Sequence, residues 1–269
     1  MTTVPPRVRL VVPTTGQRPL YLRQCLDSIR RQREPIEVVI VAPASAASVL
    51  HAFAERYECR LLVERDSGIS NAVNQGWEET EADYVGWLGD DDLLADCAVS
   101  VAVQELERNP AAAMVYGRVQ VIDAQGHHVF TMRPGKFAPS ILRFGPNFVW
   151  QPGSLYRRDA VSQVGLLDPS LRYAMDMDLH LRLREKGVLV YIPRLLAAYR
   201  LHPTSLTVTN PEPNAERRMV IRRHLGRVAR SWESCWWPLV MSAARAWRYA
   251  HFRTGREERL VTTQVFQEE

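Results

Sequence analysis

Three consecutive carboxylates, Asp90, Asp91 and Asp92, are the residues of this chain best suited to chemistry. They follow the apolar run Tyr84–Leu88, which predicts a buried strand, so they should lie at the end of a sheet. Like charges this close repel one another, and a divalent cation would relieve the repulsion because oxygen ligands suit Mg²⁺ and Mn²⁺. Mg²⁺ commonly takes one or two protein carboxylates and completes its shell with water and substrate phosphates. The cluster therefore predicts a metal site that accepts a diphosphate. Capping of a helix start by Asp is the alternative, and it explains one of the three carboxylates better than all three.

A second pair of carboxylates, Asp176 and Asp178, stands at the start of a helix predicted over Asp176–Lys186 and ended by Gly187. The two side chains cannot both point the same way, so one can face a site while the other caps the helix or faces solvent. A carboxylate in a partly desolvated pocket has a raised pKa and can act as a general base. A purely capping role is the alternative for either residue.

The elements that must position these carboxylates are predicted by short apolar runs that alternate with amphipathic stretches. The predicted strands of the first half are Val8–Val12, Val38–Val41, Arg60–Val63 and Tyr84–Leu88. The predicted helices are marked by Leu22, Leu26 and Ile29 after Pro19, by Val49, Phe53 and Ala54, and by Ala72, Val73 and Trp77. Alternation of strand and helix implies right-handed crossovers and a parallel sheet with helices on both faces. Ligands of such sheets bind beyond the carboxyl ends of the strands.

The second half departs from this alternation after about residue 112. A hairpin is predicted around Gln125-Gly126, with Met114–Asp123 and His127–Met132 as its strands. Further short strands are predicted at Gly153–Tyr156 and Val188–Ile192. From Pro211 onward the pattern is helical and rich in Arg and Trp.

Composition excludes several classes of protein. The 269 residues are 46% hydrophobic and 24% charged, which is ordinary for a soluble globular chain. The four cysteines form no C-x-x-C pair, which argues against a zinc site and a disulfide framework. The first residues lack the regions of a signal peptide, and no apolar run reaches about 18 residues. We therefore expect a cytoplasmic protein without a spanning helix.

Residues 231–249 stand out in the C-terminal region because they combine tryptophan with arginine. They contain Trp232, Trp236, Trp237 and Trp247, with Arg245 and Arg248 nearby. Trp at the headgroup level and Arg meeting anionic lipid would make this an interfacial segment in peripheral contact with a membrane. The alternative is a helix whose Trp residues pack on the main domain or in a homo-oligomer. Pro238 should kink or begin a helix here. Nucleic acid is not expected as a partner, since no recognition motif joins the basic residues.

Several segments, taken in chain order, carry a resemblance to a known family. They are Val8–Val12 followed by Pro13-Thr14-Thr15, Leu26–Ile29, Glu64–Gly76, Asp90–Asp92, Gln151–Arg158 with Gly165–Asp168, Asp176–Arg182 and Tyr199–His202. Their order and spacing together resemble the family 2 glycosyltransferases over residues 7–206.

The resemblance implies an α/β fold of the GT-A type, which is Rossmann-like with a mostly parallel central sheet flanked by helices. It also implies inverting transfer of a sugar from a nucleotide-diphosphate donor, with Mn²⁺ or Mg²⁺ as the cofactor. In this scheme Asp176 is the catalytic base and Asp92 is a metal ligand, while Asp90 contacts the metal or the ribose of the donor. His202 is a further candidate ligand of the metal or contact of the pyrophosphate, and ordinary packing is its alternative. The residues assigned to the donor are Pro13, Thr14, Thr15, Asp66, Asn74, Asp90 and Asp91.

The sequence departs from the family pattern at the end of the second strand. Where family members usually have Asp-Asp-Gly-Ser, this chain has Ala42-Pro43-Ala44-Ser45. The side chain of Ala42 cannot accept a hydrogen bond from uracil, so base recognition must fall to backbone groups, to Asp66 or to another residue. Donors built on UDP, GDP or dTDP therefore stay open. No Q-x-x-R-W segment of processive synthases occurs, which favours addition of a single sugar.

We therefore expect a catalytic domain over residues 1–210, with a nucleotide-binding half over 1–112 and an acceptor half over 113–210. A helical Arg/Trp-rich extension over 211–269 should follow. The expected function is transfer to a glycan or lipid-linked acceptor in cell-surface polysaccharide or glycolipid synthesis. The alternatives are a degenerate GT-A domain that serves as a binding or assembly module, and a sugar nucleotidyltransferase. The latter usually carries a Gly-rich phosphate loop, and Pro13–Gly16 has one Gly.

Overall fold

A computed structural model describes residues 7–78, 80–209 and 215–252, with only the backbone described for residues 227 and 247–252. Over these ranges the strands join in a single sheet of mixed direction. They are β1 (Val8–Pro13), β2 (Ile36–Ala42), β3 (Arg60–Val63), β4 (Tyr84–Trp87), β5 (Leu93–Leu94), β6 (Ala112–Ile122), β7 (His128–Met132), β8 (Leu155–Arg157) and β9 (Val188–Arg200).

Helices flank the sheet, and a short 3₁₀ turn at Ala44–Ala46 follows β2. The helices are α1 (Pro19–Arg30), α2 (Ala47–Tyr57), α3 (Ile69–Trp77), α4 (Ala98–Arg108), α5 (Ala138–Leu142), α6 (Arg158–Val164), α7 (Met175–Leu183), α8 (Leu206–Thr209), α9 (Ala215–His224), α10 (Arg227–Ser231) and α11 (Glu233–Phe252).

The strand order is β3-β2-β1-β4-β8-β6-β9-β5, with β7 paired to β6. The first four strands of this order are parallel to one another. Because β8 is antiparallel to both β4 and β6, β6 runs in the same direction as β4, and β9 is parallel to β6. The carboxyl ends of β1, β2, β4 and β9 therefore meet at one edge of the sheet. That edge is where ligands of such sheets bind.

Two apolar clusters cover the two faces of the sheet, as the alternation of side chains along a strand requires. Val8, Leu10 and Val12 of β1 belong to one cluster, together with residues of α1, α2 and α4. Val11 belongs to the other, with residues of α3, α7 and α9. The fold is thus mixed α/β with a mostly parallel sheet and helices on both sides, and this prediction is confirmed.

The structure agrees with the elements that the sequence predicts for the first half, but strand β9 differs. The sequence indicates Val188–Ile192 and Tyr199–His202 as separate segments, whereas β9 runs from Val188 to Arg200. Its pairing with β6 shifts register near Gly117, and a Cβ on Gly117 would lie 2.5 Å from Leu196. A bulge of this kind lets the strand continue past Pro193, whose missing N–H would otherwise interrupt the ladder.

The C-terminal helices pack on the rest of the protein. Val220, Ile221 and Leu225 are buried in the same cluster as the residues of α7. Pro238, expected to kink or begin a helix, lies inside α11. Within the described ranges, none of the helices combines the length and apolar character that crossing a bilayer requires.

The predicted Trp-rich segment divides into buried and exposed parts. Trp236 and Trp237 pack against the main core cluster, whereas Trp232 is 64% exposed. The Trp236 and Phe144 rings meet edge to face at 5.8 Å. The side chains of Trp247 and Arg248, which also belong to the predicted membrane segment, lie outside the described residues.

Candidate active site

The carboxylates after β4 meet the end of β1 across the parallel ladder. The N–H of Leu88 donates to the carbonyl of Val11 at 2.9 Å, so the chains leave the sheet side by side. Asp90 is 1% exposed, and one of its oxygens accepts a hydrogen bond of 2.5 Å from the Thr14 hydroxyl. Thr14 also accepts from the N–H of Gly16 at 3.0 Å. Thr14 is thus held between the first loop and the carboxylate cluster.

Arg18 lies in this site, and its guanidinium contacts three of the surrounding side chains. Its guanidinium donates to Asp90 Oδ1 at 2.5 Å and to Asp91 Oδ2 at 2.8 Å. The same group lies 2.9 Å from His202 Nε2, and His202 Nε2 lies 2.8 Å from Asp91 Oδ2. His202 lies two residues after the end of β9, so the common edge of β1, β4 and β9 brings these four residues together. The His202 Nδ1 atom lies 3.0 Å from the Thr204 hydroxyl.

Asp92 is hydrogen-bonded to Arg200, the last residue of β9. The N–H of Arg200 donates to Asp92 Oδ1 at 3.0 Å, and the Arg200 Nε donates to the carbonyl of Asp91 at 3.0 Å. Arg200 is itself 1% exposed, with its guanidinium 4.5 Å from the centre of the Tyr21 ring. Arg200 therefore fixes the backbone and one carboxylate of the cluster rather than facing a ligand.

Burial makes these carboxylates costly to ionise. It raises the pKa of Asp90, with the charge of Arg18 and the Thr14 hydroxyl opposing it. Burial and the charge of Asp91 raise the pKa of Asp92 well above its usual value, against the N–H and the charge of Arg200. A bound cation would favour the ionised forms.

The local geometry fits a cation held by few protein ligands. A Cβ on Gly89 would lie 2.7 Å from Asp91 Oδ1 and 3.1 Å from Asp92 Oδ2, so both oxygens fold over the space that glycine leaves free. His202 lies against the other oxygen of Asp91. Over the ranges described, no three His, Cys, Asp or Glu side chains are grouped as a metal site. The donor set of carboxylates and one imidazole nevertheless suits Mn²⁺ or Mg²⁺ when phosphate and water complete the shell.

Asp176 is the second residue of α7 and is half-buried. Its Oδ1 accepts from the N–H of Met177 at 2.7 Å, and its Oδ2 lies 3.3 Å from the Asn147 side-chain nitrogen, which donates to it. Burial raises the pKa of Asp176, although the Met177 N–H, the Asn147 amide and the charge of Arg217 act in the opposite direction. The pKa of Asp176 is therefore raised, which is the direction expected for a carboxylate that acts as a general base.

A column of aromatic rings joins the helix of Asp176 to the strand of the carboxylate cluster. The Trp87 and Tyr156 rings stack at 5.4 Å, and Tyr156 stacks on His180 of α7 at 5.8 Å. The Tyr156 hydroxyl lies 2.9 Å from His180 Nε2. Burial lowers the pKa of His180 to about 3, so the ring is neutral. The Gln151 amide also donates to the carbonyl of Trp87 at 2.5 Å. These contacts fix α7 relative to the end of β4.

Asp178 has a structural role instead of facing a site or solvent. It is 4% exposed, and Arg182 donates to its Oδ2 at 2.8 Å. Its Oδ1 lies 3.3 Å from His224 Nε2. Burial acts to raise the pKa of Asp178, but His224 and Arg182 outweigh it and hold that pKa below its usual value. Asp178 therefore attaches α9 to α7.

The other residues assigned to the donor are scattered around this edge. Pro13 ends β1 and is half-buried, while Thr15 and Asp66 are exposed, Asp66 in the loop before α3. Asn74 uses both ends of its amide on Leu167, donating to its carbonyl at 2.8 Å and accepting from its N–H at 2.9 Å. The structure thus gives Asn74 a structural role, joining α3 to the loop after α6. It does not bring Asn74 or Asp66 against the carboxylate cluster.

Two residues of this site are missing from the set that the sequence indicates. Arg18 lies directly before Pro19, outside the apolar periodicity that predicts the first helix. Arg200 lies within the segment Tyr199–His202. A cation in the first loop opposite three carboxylates is the signal that could have pointed to Arg18. The buried position of Arg200 depends on the unexpected length of β9.

The carbonyl of Ala42 is also engaged, since it accepts from the N–H of Glu64 at 2.8 Å. Ala42 is 1% exposed. Neither its side chain nor this carbonyl lone pair is presented to a nucleotide base. Asp66, which the sequence offers as an alternative contact, is exposed in the loop before α3.

Comparison with known proteins identifies the family of this chain. Residues 10–165 match the family model described as "Glycosyl transferase family 2". Over 190 residues the chain is 30% identical to the O-antigen biosynthesis protein RfbC of Myxococcus xanthus. The matched region covers 67% of this chain and 14% of RfbC. The chain therefore corresponds to a small part of that relative.

Solved structures share the fold at low sequence identity. The mannosyltransferase PcManGT from Pyrobaculum calidifontis, in complex with GDP-Man and Mn²⁺, has a TM-score of 0.63 and 18% identity, covering 95% of this chain and 77% of that one. S. aureus TarS 1-349 in complex with UDP-GlcNAc has a TM-score of 0.64 and 14% identity, covering 88% and 73%. These likenesses show the GT-A fold.

Proposed function

The chain belongs to glycosyl transferase family 2, and on that basis we propose that it moves a sugar from a nucleotide-diphosphate donor to an acceptor hydroxyl, with inversion at the anomeric carbon. The observation that carries the proposal is the joining of two carboxylate sites by one aromatic column. His180, four residues after Asp176 on α7, lies at one end of that column, and Trp87, three residues before Asp90, lies at its other end.

Asp176 is the proposed base. As the acceptor oxygen forms its bond to the anomeric carbon, its proton passes to the Asp176 carboxylate. The bond from the anomeric carbon to the diphosphate oxygen breaks at the same time, and its electron pair leaves with the nucleoside diphosphate. A single in-line displacement of this kind inverts the anomeric carbon. A positioned base typically contributes about 10²–10⁴-fold to the rate.

Asp91, Asp92 and His202 are the proposed holders of a divalent cation, through the oxygens beside Gly89 and the imidazole Nε2. When bound, the cation stabilises negative charge on the leaving diphosphate. The structure favours Asp91 over Asp90 as the partner of His202, since both oxygens of Asp90 already accept from Thr14 and Arg18. Asp90 then keeps Thr14 and the first loop in place for the donor.

Arg18 is proposed to bind the donor diphosphate. Its side chain is 28% exposed at the mouth of the cluster, and its guanidinium already lies between Asp91 and His202. A guanidinium binds phosphate oxygens in a planar, two-pronged arrangement, so it can exchange a carboxylate partner for a phosphate. Pro13 and Thr15, which the sequence assigned to the donor, precede Arg18 at the end of β1 and in the loop after it.

The nucleotide base is expected to lie near the loop after β3, because Ala42 offers it no acceptor. Asp66 is the proposed contact there. TarS binds UDP-GlcNAc and PcManGT binds GDP-Man, as their structures are described. Uridine and guanosine nucleotides are therefore both candidate donors. The acceptor is proposed to be a glycan or lipid-linked precursor of a cell-surface polysaccharide, in line with the O-antigen role that the name of RfbC states.

Contact with the surface of an anionic membrane, on its cytoplasmic side, is part of the proposal. Val228 of α10, Trp232 between α10 and α11, and Leu239 of α11 are 77%, 64% and 72% exposed. Arg230 and Arg245 are also exposed in this segment. Glu233 is 2% exposed and paired with Arg218 and Arg222, so it places no negative charge on this face. Exposed apolar side chains and exposed arginines in one segment suit contact with anionic lipid.

A thermal-shift panel tests the donor site directly. The protein is melted with UDP, GDP, dTDP or CDP, each with Mn²⁺ or with EDTA. A ligand that binds only the folded state stabilises it by RT ln(1 + [L]/Kd), or roughly 2.7 kcal/mol at one hundred times Kd. We expect a shift with one nucleotide that needs Mn²⁺. Absence of a shift with all four nucleotides would instead favour a degenerate GT-A domain that acts as a binding or assembly module. Ala42, in place of the usual Asp, is the residue that suggests this alternative.

A further inference from the structure

Glu216, in the first turn of α9, receives three consecutive backbone N–H groups on one carboxylate. Its Oε1 accepts from Arg172 at 2.8 Å, and its Oε2 accepts from Tyr173 at 2.5 Å and from Ala174 at 2.6 Å. Ala174 is the residue from which α7 begins, two positions before Asp176. Successive N–H groups that converge on one anion form a concave binding site, and here a side chain of the same protein fills it.

The same C-terminal helices also hold the partner of Asp176. The ring of Trp237 lies over Gly145, where a Cβ would be 2.8 Å from the ring. Gly145 has a φ of +119°, a backbone conformation that glycine adopts without strain. Asn147, two residues later, donates to Asp176. The segment carrying the base and the segment carrying its hydrogen-bond donor are therefore both fixed by residues beyond 214.

We propose that Glu216 is a positioning residue for Asp176, and that helices α9–α11 complete the acceptor side of the site. This inference rests on the proposed function, because it assumes that Asp176 takes the acceptor proton. Glu216 acts through the backbone of residues 172–174 and does not touch the reacting atoms. The Arg/Trp-rich extension is thus part of the catalytic unit and not a separate membrane anchor attached to it.

The charges around Asp176 determine how the loss of Glu216 would appear. Arg217 of α9 and Tyr156 of β8 are the charged and titratable groups that interact with Asp176, and Arg217 lowers its pKa. Burial acts the other way and dominates. If residues 172–174 loosen, water reaches the carboxylate and the contribution of burial shrinks. The pKa of Asp176 then falls, and the acid limb of the pH–rate profile moves to lower pH.

The experiment compares Glu216→Ala, Glu216→Asp and Met219→Ala in the full chain. Met219 lies on the same helix and is 42% exposed, so its variant controls for helix stability. Activity is followed as release of nucleoside diphosphate from UDP-GlcNAc or GDP-mannose with octyl glycosides as acceptors. We expect Glu216→Ala to lose about 10²-fold in kcat, as misplacement by roughly 1 Å commonly does. The KM for the donor should stay unchanged and the acid limb should shift downward.

Glu216→Asp should recover part of kcat, since a shorter carboxylate still accepts some of the N–H groups. Amide hydrogen exchange at residues 172–174 should accelerate in Glu216→Ala and not in Met219→Ala, and this reports the anchor even if the variant is less stable. Wild-type kcat and an unmoved acid limb in Glu216→Ala would overturn the inference. An inactive wild type with every donor and acceptor would instead contradict the proposed function, which keeps the two failures apart.

Discussion

The His202 Nε2 atom lies 2.8 Å from Asp91 Oδ2, although 111 positions separate the two residues along the chain. The contact arises because β4 and β9 run in the same direction and end at the same edge of the sheet. Arg18 joins them from the loop after β1. A carboxylate, an imidazole and a guanidinium thus converge from three strand ends at the position where a diphosphate would be held.

Metal-dependent nucleotide binding should depend on this convergence. In Asp91→Asn and His202→Gln, we expect the stabilisation by nucleoside diphosphate with Mn²⁺ to fall to the level seen with EDTA, because the cation loses a ligand. Asp159→Asn, which changes a side chain that is 74% exposed on α6, is the matched control and should behave as wild type. Full retention of the Mn²⁺-dependent shift in both site variants would contradict the assignment.

Asp176→Asn should abolish transfer while leaving donor binding nearly intact. Loss of the base should lower kcat by about 10²–10⁴-fold. The amide oxygen can still accept from the Met177 N–H, so the start of α7 is expected to survive. Steady-state kinetics and the nucleotide thermal shift measure the two properties separately. If both fell equally, Asp176 would have a role in donor binding instead.

The stability of the protein should report the raised pKa of Asp176 with a defined sign. A carboxyl whose pKa is raised by folding contributes stability below its unfolded pKa, and this is lost as the pH rises through the folded pKa. The Asp176→Asn variant has no such group. Its melting temperature should therefore exceed that of wild type at pH 7 to 8, and the difference should vanish below about pH 4, the usual Asp pKa. A difference independent of pH would rule out this origin.

Asn74→Ala should destabilise the fold more than it weakens donor binding. Its amide makes two hydrogen bonds with the backbone of Leu167, and net contributions of about 0.5–1.5 kcal/mol each predict a loss of about 1–3 kcal/mol. Urea unfolding measures this change. Asn71→Ala is the control on the same helix, since Asn71 donates to a nearby residue of the same segment, the Ser67 carbonyl, at 2.9 Å. An unchanged free energy of unfolding with a lost nucleotide shift would restore Asn74 to the donor site.

Membrane contact should depend on the exposed apolar residues of the segment that runs from α10 into α11. We expect Trp232→Ser and Leu239→Ser each to weaken cosedimentation with phosphatidylglycerol vesicles severalfold, because each removes apolar area that would enter the headgroup region. Val49→Ser, at a residue 58% exposed on α2, is the control. Binding should also weaken as salt rises and should be poor on phosphatidylcholine vesicles. Equal binding by all variants would exclude this face.

Much of this protein was determined by local features of its sequence. Apolar runs such as Val8–Val12 and the helical spacing of Leu22, Leu26 and Ile29 predict their elements correctly because buried strands and amphipathic helices have periods that few residues reveal. The position of Asp90–Asp92 after a buried strand likewise predicts a cluster at the ligand edge of the sheet. The resemblance to family 2 glycosyltransferases is confirmed by the family match over residues 10–165.

Only the tertiary structure decided which partners these residues have. Arg18 between Asp91 and His202, Asn74 on Leu167, and Glu216 beneath residues 172–174 are contacts between segments distant in the chain, and no periodic pattern encodes them. The direction of a side chain at the end of a strand depends on the register and bulges of neighbouring strands, as the long β9 shows. The residue types therefore determined which chemical groups are available. The meeting of strand and helix ends determined which of those groups lie together in one site.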